Sequence, residues 1–265
     1  MNSLRGVAVG LALLSLAACR APAPGASALR APDGVPIAIE DPRVQRSLAR
    51  VRAVAMERTS LRAAARAVID APALSLSRPQ RIVVERPDRL RIEVLALFDQ
   101  VAGVVATDGV EYGFVDLTSG VRDTGPVDEG LLWRTARIDL GLADAVALLL
   151  GGPRLGPDAR VVAAFEAPDG GVTFHTASGL DGFRRRYTLD AAGRIVGAEL
   201  GAAGGEVVWA ASYRDWREVS GQPVAYRLDL VFPRVDATVR VIFHAVELNP
   251  ALAPGLFVLH VPPGG

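Results

Sequence analysis

Segments in which apolar and polar residues alternate recur along the chain, and they constrain its fold more than any other feature. In Arg89–Leu95, the residues Leu90, Ile92 and Val94 fall on one side of an extended backbone, with charged residues on the other. Tyr226–Phe232 alternates in the same way. A period of two predicts strands that bury one face and expose the other, as is typical of an antiparallel sheet.

Turn-forming residues separate these segments at regular intervals. Asp108-Gly109 is the clearest case, because this dipeptide is a strong signal for a two-residue hairpin. The further segments predicted as strands are Ser60–Ile69, Arg81–Glu85, Val101–Ala106, Val110–Val115, Val161–Phe165, Val172–Thr176, Phe183–Leu189, Ile195–Leu200, Val207–Tyr213 and Ala237–Leu248. Strands of this length and spacing favour a sandwich or a barrel.

Two segments with helical periodicity accompany the strands. Asp41 and Pro42 suit an N-cap and a first helical position, and they precede an amphipathic helix predicted over Arg43–Met56. A second, more apolar helix is predicted over Asp139–Leu150, where the Gly-Gly-Pro sequence at 151–153 would end it. The fold class is therefore mainly β with helices (α+β).

The N-terminus carries the features of a targeting signal. Its first five residues include a positive charge, Val7–Leu16 is uncharged but too short to span a bilayer, and small residues lead into Cys19. This order resembles a bacterial lipoprotein signal, which implies cleavage before Cys19 and acylation of its thiol. The alternative is an ordinary secretory signal cut near Ala18, with Cys19 unmodified.

This signal divides the chain and bears on where the protein is located. The expected parts are a signal peptide at 1–18, the lipidated cysteine with an Ala/Pro-rich tether at 19–40, and one folded domain at 41–265. In the lipoproteins that the signal resembles, an aspartate after the cysteine favours the inner membrane, so Arg20 favours the outer membrane with the domain facing the periplasm. Because Cys19 is the only cysteine, no intrachain disulfide is possible.

Composition excludes several classes of function. Basic and acidic residues number 29 each, so no net charge attracts nucleic acid. The chain has no lysine, which excludes a P-loop and a Schiff base. His175, His244 and His260 lack metal-ligand spacing, and no serine lies in a Gly-x-Ser-x-Gly elbow. We therefore expect no enzyme, metal or cofactor, and an unrecognised hydrolase is the weakest alternative.

Three stretches resemble the LolA/LolB superfamily of periplasmic lipoprotein carriers and receptors. They are Arg89–Gly109, with two strands around a short loop; Leu140–Pro153, like a lid helix and its closing turn; and the tail from Val246 to Pro263. The resemblance implies an incomplete antiparallel β-barrel (half-barrel) around an apolar cavity with a helical lid. LolA carriers are soluble, so the lipoprotein signal implies the LolB-type branch. A longer tether and a longer stretch before the first matched strand leave open whether the chain is a receptor or a paralogue.

The resemblance also implies roles for individual residues. In LolB-type receptors a protruding loop with an exposed apolar residue helps to put the cargo into the membrane, and Leu97 and Phe98 match that loop. The residues implied to line the cavity or the lid are Ile92, Val94, Phe114, Val146, Leu149, Trp209, Leu230, Phe232, Val241 and Phe243. The implied ligands are acyl chains of lipoproteins or lipids, and the implied partners are the outer membrane and a periplasmic LolA-like carrier.

An alternative from another class remains open. The same apolar faces would equally fill a solid core, which any barrel of this size needs. The protein would then be a lipid-anchored envelope scaffold without a ligand, and Phe98 would pack under the barrel rim. The volume enclosed by the barrel distinguishes the two hypotheses. A filled barrel would indicate the scaffold, and an open one would indicate an outer-membrane lipoprotein that binds acyl chains and acts in lipoprotein reception.

Overall fold

The computed structural model describes residues 34–72, 74–156, 158–167, 169–253 and 255–260. The expected signal peptide, Cys19 and most of the expected tether lie outside these residues, as does the end of the tail stretch at 261–263. Within the described ranges, no helix is both long enough and apolar enough to cross a membrane.

In these ranges fourteen strands form one antiparallel sheet. The strands are β1 (Val35–Ile37), β2 (Ser60–Ala71), β3 (Leu74–Glu85), β4 (Arg89–Leu95), β5 (Val101–Thr107), β6 (Glu111–Asp116), β7 (Arg122–Pro126), β8 (Arg160–Glu166), β9 (Val172–Ala177), β10 (Arg184–Leu189), β11 (Ile195–Gly201), β12 (Val207–Val219), β13 (Gln222–Phe232) and β14 (Ala237–Leu248). Their order is β1-β8-β9-β10-β11-β12-β13-β14-β2-β3-β4-β5-β6-β7. The edge strands β1 and β7 do not pair, so the sheet is not closed, as an incomplete barrel requires.

The α-helices of the described chain are α1 (Pro42–Glu57), α2 (Leu131–Ala136) and α3 (Leu142–Leu149). The side chain of Asp41 caps α1 by accepting a hydrogen bond from the Arg43 amide at 2.8 Å. Helix α3 ends at Leu149, and Gly151, two residues beyond, has a φ of 67° and donates its N–H to the Leu148 carbonyl at 2.9 Å. Glycine adopts this left-handed conformation most easily because it has no Cβ, so the residue favours a helix end at this point.

Helix α1 lies across one end of the strands. Near its start, Arg43 forms a salt bridge of 2.9 Å with Glu166, the last residue of β8. Just after its end, Arg58 donates a hydrogen bond of 3.1 Å to Gln222, the first residue of β13. We call this the capped end of the sheet. The opposite end, which we call the rim, carries the turns that follow β2, β4, β6 and β13, because neighbouring strands are antiparallel.

The inner face of α1 and the inward side chains of the strands form the core. The buried apolar residues of α1 are Val44, Leu48, Val51 and Val54. They recur at three- and four-residue spacing and pack on the sheet at its capped end. At the same end, the Asn249 side chain accepts a hydrogen bond from the Thr59 amide at 2.9 Å and donates one to the Glu57 carbonyl at 2.8 Å. The position after β14 therefore suits an asparagine, because the Asn249 side chain both accepts and donates and so joins the end of β14 to the end of α1.

Several element bounds differ from those predicted from the sequence. Strand β3 begins at Leu74 instead of Arg81 and continues through Pro79, which lies opposite Arg66 of β2. The short elements β1, β7 and α2 were not predicted, and β1 falls within the range assigned to the tether. An element of three to six residues shows too few periods for a pattern to be visible, and β7 is a polar edge strand containing Gly and Pro.

Candidate functional site

The concave side of the sheet encloses a cavity of about 710 Å³. Strands β2 to β6, β13 and β14 form its walls, with α2, α3 and the segment between these helices as its cover. The apolar lining residues are Ala67, Ile69, Leu74, Leu76, Ile82, Leu90, Ile92, Val94, Ala96, Leu97, Ala102, Val104, Val105, Phe114, Leu132, Ala136, Ile138, Leu140, Ala145, Leu148, Leu149, Leu228, Leu230, Val239 and Val241. Because hydrocarbon dominates the surface, burial of apolar area is the main interaction it offers a ligand.

The cover over the cavity is built from short apolar helical turns. Ala145, Leu148 and Leu149 of α3 face the cavity at the three- and four-residue spacing of one helix face. Leu132 of α2 and Ile138 of the connecting segment extend this surface. The cover therefore contacts the cavity through side chains, while the hydrogen-bonded backbone of each helix satisfies its own polar groups.

The cavity opens at the rim, beside the turn between β4 and β5. Leu97 lines the cavity and is also 77% exposed, while the adjacent Phe98 is 94% exposed. Phe98 has φ 59° and ψ 33°, the left-handed conformation that costs a bulky residue about 1–2 kcal/mol. The following turn along this rim carries Leu117, which is 58% exposed. The mouth is thus bordered by apolar side chains that contribute nothing to the core.

The structure brings most of the residues expected at the cavity to its walls. Those that line it are Ile92, Val94, Phe114, Leu149, Leu230 and Val241, together with Leu97 of the loop. Those that are buried elsewhere in the core and do not line it are Val146, Trp209, Phe232 and Phe243. Val146 lies on α3 between the positions that face the cavity, and Phe243 lies two residues beyond Val241 toward the capped end, so both fall outside the open volume.

Other lining residues were not identified from the sequence. Leu74 and Leu76 alternate with serines at the start of β3, which is a strand signal, but they are separated from the predicted strand at Arg81 by Pro79, and proline is unusual inside a strand. Leu132 and Ile138 lie in a segment with no clear period. The apolar cluster at 131–133 is the only sign in the sequence that this segment would be buried.

The end of α3 is held in place by buried cationic and phenolic side chains. Arg58, only 2% exposed, donates a hydrogen bond to the Leu150 carbonyl at 3.2 Å. Arg86 donates to the Gly152 carbonyl at 2.8 Å, and the Tyr213 hydroxyl donates to a carbonyl of α3 at 3.3 Å. The donors from Arg58 and Arg86 satisfy carbonyls just beyond the end of α3, and Tyr213 adds a second donor to the Leu148 carbonyl, so together they fix one end of the cavity cover to the sheet.

Burial changes the acid–base properties of this region. It lowers the pKa of Arg58 to about 10, so that the guanidinium is still charged at neutral pH. It raises the pKa of Tyr213 well above its ordinary value, which keeps the hydroxyl protonated as a donor. Burial also raises the pKa of Asp144 in α3, although Arg154 at 3.7 Å opposes the shift.

The described histidines on the strands lie on β9 and β14, which are not neighbours in the sheet. His175 lies against the Phe165 ring, with 5.4 Å between the ring centroids, and His244 is exposed on β14. The part of the chain that the structure describes contains no group of three or more His, Cys, Asp or Glu side chains that could hold a metal ion. The cavity is therefore the candidate functional site of the described chain.

Comparisons with known proteins identify the fold. Neither a protein-family model nor a curated protein matches the chain. Solved structures do match, among them a LolA superfamily protein from Nitrosomonas europaea, at 10% identity and a TM-score of 0.56, covering 81% of this chain and 97% of that one. A DUF1329 family protein from Desulfovibrio piger has 10% identity and a TM-score of 0.58, with 82% and 97% covered.

A third solved structure carries a functional description. It is a domain from Vibrio parahaemolyticus described as an outer membrane lipoprotein-sorting protein domain, with 9% identity and a TM-score of 0.54, covering 80% of this chain and 96% of that one. At these identities the likeness concerns the fold alone. The chain therefore has a LolA-like fold, as the resemblance of its three stretches to that superfamily implied.

Proposed function

We propose that this protein is a lipid-anchored outer-membrane protein that holds acyl chains in its cavity and acts in the reception or localisation of lipoproteins or lipids in the periplasm. The observation that carries the proposal is the cavity of about 710 Å³ with predominantly apolar walls. Sites of several hundred Å³ lined by apolar side chains are typical of small-molecule binding. A packed scaffold would bring the same side chains into contact at the density of an organic crystal.

The chemistry of the walls favours a hydrocarbon ligand. Each methylene moved from water to an apolar site contributes roughly 0.8 kcal/mol. Leu90 and Ile82, both fully buried, form part of the cavity lining toward the capped end, so a chain entering at the rim would continue to lose contact with water as it advances. Binding of this kind needs no cofactor, energy source or catalytic residue, and the proposed activity is capture and release.

The positions of cover and mouth support a route for the ligand. Helices α2 and α3 would act as the lid, with the end of α3 fixed by Arg58 and Arg86 while its cavity-facing residues cover the chain. Leu97 and Phe98 at the rim would contact the bilayer during transfer. The resemblance of the N-terminus to a lipoprotein signal supports membrane attachment through Cys19, and with it the LolB-type branch and a LolA-like carrier as partner.

The proposal is tested by lipid that copurifies with unacylated protein. Cys19→Ala protein is purified and its bound lipids are identified by mass spectrometry, alone and with Ala67→Trp added. Ala67 is buried and lines the cavity, so an indole there would fill volume that an acyl chain needs. We expect at least a severalfold loss of bound lipid, because overpacking and lost volume both oppose entry.

Ala64→Trp is the matched control, because Ala64 is exposed on the other face of the same strand. It should retain the lipid of the parent protein. If the parent protein contains no lipid and takes up none from vesicles, the acyl-binding proposal is wrong and the scaffold is favoured. If Ala67→Trp binds as much lipid as Ala64→Trp, the cavity is not the site.

A further inference from the structure

The cavity wall is not uniformly apolar. Its polar lining residues are Arg78, Gln80, Asp116, Thr118 and Thr135. Asp116 is engaged within its own turn, where it accepts hydrogen bonds from the Thr118 amide at 2.8 Å and from the Ser119 hydroxyl at 2.7 Å. Thr135 donates its hydroxyl to the Leu131 carbonyl at 2.8 Å. Arg78 and Gln80 are the two that require a separate explanation.

Gln80 is a buried amide that faces the cavity. It is 6% exposed, lies on the inward face of β3, and is flanked across the sheet by Ala65 of β2 and Val94 of β4. No hydrogen bond joins its side chain to another residue of the described chain. Among the described residues, the enclosed side-chain atoms without a hydrogen-bond partner are Trp209 Nε1 and Ser212 Oγ, so the Gln80 amide is not sealed in the core but is open to the cavity. A ligand atom in the cavity can therefore hydrogen-bond to it.

Arg78 lies on the same face of β3, two residues nearer the rim. Two residues of a strand span roughly 7 Å. Its side chain is exposed toward the open part of the cavity, and no carboxylate of the described chain pairs with it. Arg81, on the outward face of the same strand, instead approaches Glu93 at 3.6 Å. The cavity wall therefore carries a cation without an ion-pair partner, while the carboxylate of Asp116 is held by its own turn.

We infer that the cavity selects an acylated glycerol phosphate, with the ester carbonyl accepting a hydrogen bond from Gln80 and the phosphate bound by Arg78. This inference rests on the proposed function and names the ligand class of that site. The order of groups fits the strand: hydrocarbon runs along Ile82 toward the capped end, the carbonyl lies at Gln80, and the acidic group lies nearer the rim at Arg78. A guanidinium is suited to phosphate because its charge is permanent and its donors are forked.

The test compares probes that differ only in the head group. Cys19→Ala protein is titrated with lysophosphatidylglycerol, with the monoacylglycerol of the same chain, and with the free fatty acid. We expect lysophosphatidylglycerol to bind about tenfold more tightly than monoacylglycerol, and Arg78→Met to abolish that preference. Arg81→Met is the matched control and should leave the preference intact. Binding of monoacylglycerol by Arg78→Met verifies that this variant is folded.

A second variant tests the carbonyl contact. Gln80→Leu has a similar volume and should weaken binding of both glycerol esters severalfold. Equal affinities for the charged and uncharged esters, unchanged by Arg78→Met, would overturn the inference while leaving acyl binding in place. Tighter binding of the fatty acid than of lysophosphatidylglycerol would also overturn it, because the acidic group would then be a carboxylate. Failure to bind any of the probes would contradict the proposed function itself.

Discussion

Replacing Phe98 by Asn distinguishes the effect of this residue on the stability of the fold from its proposed contact with a membrane at the rim. Phe98 is 94% exposed and has a φ of 59°, so the folded protein gains almost no burial from the ring and carries a strained backbone under it. Asn tolerates the left-handed conformation better than an aromatic residue. We therefore expect Phe98→Asn to have a free energy of unfolding equal to that of the parent protein or up to about 1 kcal/mol higher.

The effect on membrane contact should be opposite in direction. Moving a Phe side chain fully from water into an apolar medium contributes about 1.5–3 kcal/mol. Since nearly the whole ring is available in the folded protein, its loss should weaken partitioning into vesicles roughly 10- to 100-fold. The relevant measurements are sedimentation of Cys19→Ala protein with lipid vesicles and transfer of a bound acyl probe to them, alongside urea unfolding of the same samples.

Val110→Asn provides the control for this prediction. Val110 is 71% exposed in the turn between β5 and β6, at the capped end of the sheet, next to the strands that hold Phe98. It should bind vesicles as the parent protein does. Equal partitioning of Phe98→Asn and the parent would refute membrane contact by this turn, and an equal loss in Val110→Asn would show that the effect is one of general surface hydrophobicity. A marked loss of stability in Phe98→Asn would refute the argument about strain.

Two further predictions concern the cavity cover. Arg58→Met should lower the free energy of unfolding by about 2–5 kcal/mol, because the carbonyls of Leu150 and Pro223 would lose the Arg58 donor. Urea titration measures this change. A loss below about 1 kcal/mol, roughly the value of one exposed hydrogen bond, would contradict the role of Arg58. Since burial raises the pKa of Asp144 above its ordinary 3.8, the folded state holds that proton more tightly than the unfolded state. The parent protein should therefore lose stability relative to Asp144→Asn as the pH rises above 3.8, whereas parallel stability curves from acid to neutral pH would show that the carboxyl is not desolvated.

Much of the sheet could be predicted from the sequence because its strands bury one face only. Arg89–Leu95 was predicted with the bounds that the structure has, and Ala237–Leu248 likewise. Helix α1 was predicted to within one residue at each end, since its cap and its apolar stripe are both local signals. In each case the residues of the element itself carry the pattern that predicts it.

The cavity was harder to predict because it depends on contacts between elements far apart in sequence. Alternation identifies Trp209 and Phe243 as inward residues as clearly as Leu230 and Val241, yet only the latter two face open volume. The extent of the cover over the sheet decides which inward residues pack against other side chains and which line the cavity. Gln80 was overlooked for a related reason, since a single polar residue on an inward face is recognisable only when its neighbours are known.

The two ends of the sheet have a consequence for the way a tethered molecule could meet a bilayer. Strand β1 begins at the capped end, where Val35 lies opposite Glu166, while Phe98 lies at the rim. Strand β3 has 12 residues, so the height to be covered is about 40 Å. The stretch from Cys19 to Gly34 can reach at most about 50 Å. If the protein is attached through Cys19 as proposed, a connection of this length just allows the mouth to face the leaflet that holds it. A connection one third shorter would reach about 33 Å, which is less than the height of the strands.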